Sequence, residues 1–305
     1  MMYFLLIVGF FLLIKGADIF VDGSSSIAGI LKVPSVIIGL TIVAMGTSAP
    51  ETAVSINAGL LGNSDISLGN IVGSNIFNLL VVIGACAVIF PAASHKDILR
   101  RDLWWNIGVS VLLYVLIVDG WISRIDGIIL LVVFLIYIGL MVYSALKNRT
   151  DETPPDVMSL PKSLAFVAAG LAAVIVGGDL VVDNASLIAK SWGMSDTLVG
   201  LTIVAIGTSL PELVTSIAAS RKGESGIALG NAVGSCLFNI LFILGVTSVL
   251  TPIHVVSELI TDTVILIATT VLILFVAKTG GKTNRIEGLI CVGAYIIYTA
   301  YIIMR

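Results

Sequence analysis

Charge is what this chain has least of. Asp, Glu, Lys and Arg make up 11% of its residues, against roughly 25% in soluble domains. Histidine occurs twice, at His95 and His254, and cysteine three times, at Cys86, Cys236 and Cys291. These shortages exclude several classes. A soluble fold does not fit a chain that is 58% apolar with a mean hydropathy of +1.12. Both histidines sit in or near loops, so no intramembrane His–Cys set is present and soft metals are disfavoured. The cysteines lie in apolar runs at no repeated position and read as small apolar side chains rather than a disulfide. Nothing resembles a nucleotide site, which disfavours a pump driven by ATP. The N-terminus has no basic start and no small-residue cleavage site, so its apolar run reads as a first span. The net charge of −3 lies in loops and says nothing of partners.

What the chain does have is a duplication. Residues 39–56 recur at 200–217, an offset of 161, with 13 of 18 positions identical. The shared core is Gly-Thr-Ser-x-Pro-Glu, ending at Glu51 and at Glu212. A second block, Leu68-Gly-Asn-Ile-Val-Gly-Ser-Asn-Ile-Phe-Asn78, matches Leu229-Gly-Asn-Ala-Val-Gly-Ser-Cys-Leu-Phe-Asn239 at the same offset. Asp18 pairs with Asp179 and Asp22 with Asp183, and Arg124-Ile-Asp-Gly answers Arg285-Ile-Glu-Gly. The chain therefore divides into residues 1–146, a polar linker at 147–160, and residues 161–305.

Apolar windows of about 20 residues span a bilayer. Ten are expected, near 2–21, 35–60, 66–90, 103–119, 124–146, 161–184, 196–220, 226–251, 259–278 and 285–304. The fold class is an all-α integral membrane protein. Five spans per copy is an odd number, so the second copy enters the membrane from the other side and the repeats are inverted. Of the 16 Lys and Arg, twelve fall in loops after odd-numbered spans and three on the opposite side. That bias puts the odd loops, including the linker, in the cytoplasm and both termini outside a multi-pass protein of the plasma (cell inner) membrane.

Glu51 and Glu212 are the residues on which chemistry would rest. An ionisable side chain inside a span marks a functional site by default. Thr47, Glu51 and Ser55 are four apart, as are Thr208, Glu212 and Ser216; Asn70, Ser74 and Asn78, with Asn231, Ser235 and Asn239, form similar stripes on the next span of each copy. Pro50 and Pro211 lack an amide hydrogen and break their helices, so the backbone is expected to open near Gly46 and Gly207. Two carboxylates with loosened carbonyls at Thr47 and Thr208, plus water or an Asn oxygen, reach the roughly six to eight hard oxygens that Ca²⁺ takes. Their charge of −2 balances one Ca²⁺ or two monovalent ions. The pairs Gly69–Gly73 and Gly230–Gly234 have the spacing of close helix packing. Asp18, Asp22, Asp179 and Asp183 fit ion entrances and solvated helix-end charges equally well.

The doubled Gly-Thr-Ser-x-Pro-Glu and Gly-Asn-x-x-Gly-Ser-x-x-x-Asn motifs resemble the alpha repeats of the cation/Ca²⁺ antiporter superfamily, most closely its sodium/calcium exchangers. The resemblance covers the whole chain. It implies ten helices in two inverted halves, with the site between spans 2, 3, 7 and 8 and spans 1 and 6 sliding to change access. It implies that Glu51, Glu212, Thr47 and Thr208 hold Ca²⁺. It also implies that Ala44, Thr47 and Ser74, with Ala205, Thr208 and Ser235, line Na⁺ sites, Asn78 and Asn239 lying in the same pocket. Some relatives carry Asp where this chain has Asn78 or Asn239, which disfavours K⁺ co-transport and a protonatable centre here. The 147–160 linker has no room for Ca²⁺-sensing domains, as in a minimal prokaryotic-type member. The expected activity is exchange of Na⁺ for Ca²⁺ by a monomer in the lipid bilayer, electrogenic, with no cofactor, no enzymatic step and no nucleic acid. The alternatives are an H⁺/Ca²⁺ antiporter and, more remotely, an intramembrane carboxylate protease.

Overall fold

In lipid a backbone must satisfy its own hydrogen bonds, and a helix does so within one segment. The computed structural model describes residues 1–91, 101–149, 157–194, 203, 205–278 and 284–304, and it is helical nearly throughout. The helices are α1 (Met2–Leu31), α2 (Ser35–Thr47), α3 (Ala49–Leu60), α4 (Ser64–Ile89), α5 (Leu103–Ile117), α6 (Arg124–Lys147), α7 (Leu160–Ser191), α8 (Leu210–Arg221), α9 (Ser225–Leu250), α10 (Ser257–Lys278) and α11 (Arg285–Met304). A helical turn at Ala205–Gly207 precedes α8.

Seven of these, α1, α4, α6, α7, α9, α10 and α11, are long and apolar enough to cross a membrane. The pair α2 and α3, bent by 49°, makes an eighth. Helix α5 is shorter, at 15 residues. The window expected at 196–220 lies partly outside the described residues; Lys96, Arg100, His95, Lys282 and half of the linker lie outside them.

Two of the helices outrun their expected windows. Helix α1 has 30 residues and α7 has 32, about 45 Å or more at 1.5 Å per residue, against a hydrocarbon core of about 30 Å. Helix α1 runs past its expected end at residue 21, through Asp22 and the serines that follow, to Leu31. The helix continues there because its glycine face packs on α7, while Asp18 and Asp22 face the end of α8. Small residues recur every seven positions along the contact. A Cβ on Gly16 would sit 3.0 Å from the Gly170 carbonyl, and one on Gly177 2.6 Å from the Leu13 amide. Only Gly allows backbones this close. Gly9 meets Gly177 and Gly23 meets Ser163, so the two helices run antiparallel.

Helices α4 and α9 form the centre. The Asn75 amide donates to the Cys236 carbonyl at 3.1 Å where they touch. Gly230 and Gly234 let α9 reach the backbone of α2. A Cβ on Gly230 would sit 2.7 Å from the Val36 carbonyl oxygen, and one on Gly234 2.7 Å from that of Leu40. Gly69 and Gly73, expected to pack equally tightly, make no such approach among the described residues. A small departure from the all-helical pattern lies at one end, where Trp121–Ile122 pairs antiparallel with Ile253–His254. There the His254 ring stacks edge-on against Trp121 at 4.9 Å. All three cysteines are free and buried.

Candidate functional site

Pro50 sets the geometry. The break falls at Ser48, two residues after the expected Gly46, with φ −82° and ψ 15°. The reason is that Pro50 sits in the first turn of a new helix, where a missing N–H costs nothing, so α2 runs on through Thr47. Pro211 does the same, and Ser209 has φ −93° and ψ 6°. Each break places a serine hydroxyl and, three residues on, a carboxylate at the first turn of a helix, where the free amide ends favour negative charge.

The two breaks reach across to each other. Ser48 Oγ on the first copy donates to Glu212 Oε1 at 2.8 Å. Ser209 Oγ on the second donates to Glu51 Oε1 at 3.0 Å. A second hydroxyl comes from the neighbouring central helix. Ser74 Oγ lies 3.4 Å from Glu51 Oε1 and Ser235 Oγ 3.3 Å from Glu212 Oε1. Both glutamates are 0% exposed. The other oxygen of each, Glu51 Oε2 and Glu212 Oε2, is buried without a hydrogen-bond partner among the described residues.

Polar side chains brace this core. Asn231 Oδ1 accepts from Thr47 Oγ1 at 2.9 Å, while its amide donates to Ser216 Oγ at 3.0 Å and the Glu212 carbonyl at 3.2 Å. Asn70 mirrors it, accepting from Thr208 Oγ1 at 3.4 Å and donating to Ser55 Oγ at 2.9 Å and the Glu51 carbonyl at 3.3 Å. The break at Ser48 separates Thr47 from the Glu51–Ser55 face, so the stripe expected on one helix is divided between two. The Ala44 carbonyl accepts from Ser235 Oγ at 3.4 Å. Ala205 lies in the turn before α8, and its side chain lies outside the described residues.

Asn78 and Asn239 are fully buried and each opens a π-helical stretch, Asn78–Val82 and Asn239–Leu244. Such bulges are rare and frequent at functional sites. Among the described residues neither amide atom of Asn78 has a partner, nor does Asn239 Oδ1. Asn239 Nδ2 donates to Asn75 Oδ1 at 3.0 Å. Three contributors escaped the sequence reading: Ser48, Ser209 and Asn75. The two serines carried a signal, because both stand inside the repeated motif; Asn75 carried none, since its counterpart is Cys236.

Burying an ionised carboxylate is costly unless charge and hydrogen bonds compensate it. Here every side-chain contact to the carboxylates is a hydroxyl donor. Among the described residues no Lys, Arg or His forms an ion pair with either glutamate. No group of three or more His, Cys, Asp or Glu is found among them either, so an all-acidic metal cage is absent there. The arrangement is a cluster of oxygens that would carry −2 with both carboxylates ionised, and one oxygen of each carboxylate has no partner among the described residues. It suits a hard cation that arrives and leaves.

Comparison with known proteins gives consistent matches. The family model described as "Sodium/calcium exchanger protein" matches residues 1–143 and 162–304. The chain is 41% identical over 306 residues to the putative antiporter CaxA of Alkalimonas amylolytica, covering 96% of this chain and 95% of that one. It is 38% identical to the inner membrane protein YrbG of Escherichia coli, covering 97% and 95%. Among solved structures, the sodium-calcium exchanger NCX_Mj soaked with 2.5 mM Na⁺ and 0.1 mM Ca²⁺ superposes with a TM-score of 0.85 at 35% identity, covering 96% of each chain.

Proposed function

The chain belongs to the sodium/calcium exchanger protein family, a family of transporters and not of enzymes, and from that membership we propose that it exchanges Na⁺ for Ca²⁺ across the membrane by alternating access. The observation that carries this reading is the crossed pair of buried carboxylates, each held at one oxygen by the serine of the opposite break and free at the other. Glu51 and Glu212 bind Ca²⁺, with Thr47 and Thr208 beside them. Na⁺ uses the same carboxylates together with Ala44, Ser74, Asn78, Ala205, Ser235 and Asn239.

The charge arithmetic explains the coupling. One Ca²⁺ or two Na⁺ neutralise the pocket, and both cannot fill it at once. A third Na⁺ would make the cycle electrogenic, each net charge being worth about 2.3 kcal/mol per 100 mV. The molecule works as a monomer in the bilayer, with ten spans in two inverted halves, 1–146 and 161–305, joined by a cytoplasmic linker at 147–160 and with both termini outside. The family match and the repeat offset support this arrangement.

The test is Ca²⁺ uptake into proteoliposomes with and without an opposing Na⁺ gradient. Uptake that requires the gradient is expected, and it should grow when the vesicle interior is made positive, because three Na⁺ leaving for each Ca²⁺ entering carry one net positive charge outward. Uptake driven by a pH gradient and indifferent to Na⁺ would overturn the reading in favour of proton exchange.

A further inference from the structure

The two ends of the bundle are not equivalent, although the sequence repeat would make them so. Helices α1 and α7 pack as one antiparallel pair and lie across both breaks. Phe20 and Leu171 press on Gly46, Val182 on Gly207, and Gly178 on Pro211. The pair therefore packs on the segments just before and just after the breaks.

At one end α1 is tethered by charge. Arg221 at the end of α8 pairs with Asp18 at 2.5 Å, and Lys222 pairs with Asp22 at 2.5 Å while also donating to the Asp18 carbonyl at 2.7 Å. Ser25 donates to Glu224 just beyond. The acids that read as candidate helix-end charges are thus mid-helix partners of a basic pair. At the offset of 161 the acids recur as Asp179 and Asp183, but the cations do not. Leu60 and Leu61 stand where Arg221 and Lys222 would be, and Asn63 where Glu224 would be. Among the described residues neither Asp179 nor Asp183 forms an ion pair, and the Oγ of Ser186, the counterpart of Ser25, has no partner.

We propose that Arg221 and Lys222 are positioning residues that hold α1 over the end of α8 and so keep that end of the site closed, favouring access from the other. This rests on the exchange reading given above, since it assigns a role in the access change. The pairs are partly exposed, with side-chain accessibilities of 52% and 18% for Arg221 and Asp18 and of 26% and 49% for Lys222 and Asp22. They are therefore open to screening by salt on that face.

A native reporter lies alongside. Cys86 is 6% exposed and sits beside Ser220, the residue before Arg221. With Cys236 and Cys291 replaced by alanine, labelling of Cys86 by a polar maleimide in detergent measures opening at that end. Arg221→Gln with Lys222→Gln should speed labelling by about threefold to tenfold, the scale expected for two half-exposed pairs. Exchanging the charges, Asp22→Lys with Lys222→Asp, should restore most of the effect lost in Lys222→Asp alone. Raising KCl should speed labelling in the parent and leave the double variant unchanged. Equal rates in a folded double variant would overturn the proposal. If that variant fails to fold, the parent decides alone, and a labelling rate indifferent to KCl overturns it. The readout needs no ion flux, so the two failures are distinct: equal labelling rates overturn the tether, and a parent lacking Na⁺-driven Ca²⁺ uptake overturns the exchange reading on which its role in access rests.

Discussion

At the scale of the residue, four side chains hold one another across the molecule. Ser48 and Ser209 fix one oxygen of Glu212 and Glu51, and the second oxygen of each has no partner among the described residues. Glu51→Gln and Glu212→Gln each lower the pocket charge from −2 to −1 and leave a divalent ion unbalanced at low dielectric. Each is expected to abolish Ca²⁺ flux in proteoliposomes while the protein still purifies as a folded species, because a neutral amide is easier to bury. Near-normal flux in either would remove the glutamates from the site. Ser48→Ala and Ser209→Ala are milder. Each removes one hydrogen bond to a charged group, worth about 1.5–3 kcal/mol. Calcium affinity by titration calorimetry should fall about tenfold or more in both, and to a similar extent, since their geometries match. Unchanged affinity would make the crossed serines ornamental.

At the scale of the element, the proline breaks and the glycine seam are what the fold cannot change cheaply. Gly170 lets α7 lie on the backbone of Phe20, where an added Cβ would come within 2.5 Å of its amide nitrogen. Gly170→Ala should force α1 and α7 apart, at a cost of about 1–3 kcal/mol. Gly139 on α6 and Gly293 on α11 have open space at the same distance. Alanine there should leave stability unchanged or raise it, since Gly is the poorer helix former. Thermal unfolding in detergent separates the two cases, and a Gly170→Ala midpoint equal to that of Gly139→Ala would contradict the packing account. The sequence exposed much at this scale. The repeated Pro-Glu marked both breaks to within two residues, and the apolar windows located most helices. It hid the π-helices at Asn78 and Asn239, because one extra residue in a turn leaves no trace in apolar periodicity. It also hid the true ends of α1 and α7, which run past the expected residues 21 and 184 to Leu31 and Ser191, because the chain there is more polar than the span before it.

At the scale of the whole molecule, the serine–glutamate bonds join residues 158 and 164 positions apart. No local pattern announces such a pairing; only the duplication hinted that the two motifs meet. Orientation in the membrane is the matching whole-molecule prediction. Asp119, beside the short strand pair, and Asn148, at the end of α6, are both exposed and lie at opposite ends of α6. In a background lacking the native cysteines, Asp119→Cys should react with an impermeant thiol reagent applied to intact cells, and Asn148→Cys should react only after lysis. The reverse pattern would overturn the positive-charge argument.

The central claim is that Na⁺ and Ca²⁺ share one pair of carboxylates, and equilibrium binding of Ca²⁺ to the purified protein across a series of Na⁺ concentrations tests it most directly. Reciprocal linkage requires each ion to weaken the other. The apparent Ca²⁺ dissociation constant is expected to rise with Na⁺ and, at high Na⁺, to climb more steeply than in direct proportion, because more than one Na⁺ must leave for each Ca²⁺ bound. A Ca²⁺ affinity that stays constant as Na⁺ rises would mean that the two ions do not meet at Glu51 and Glu212, and the account would fail there.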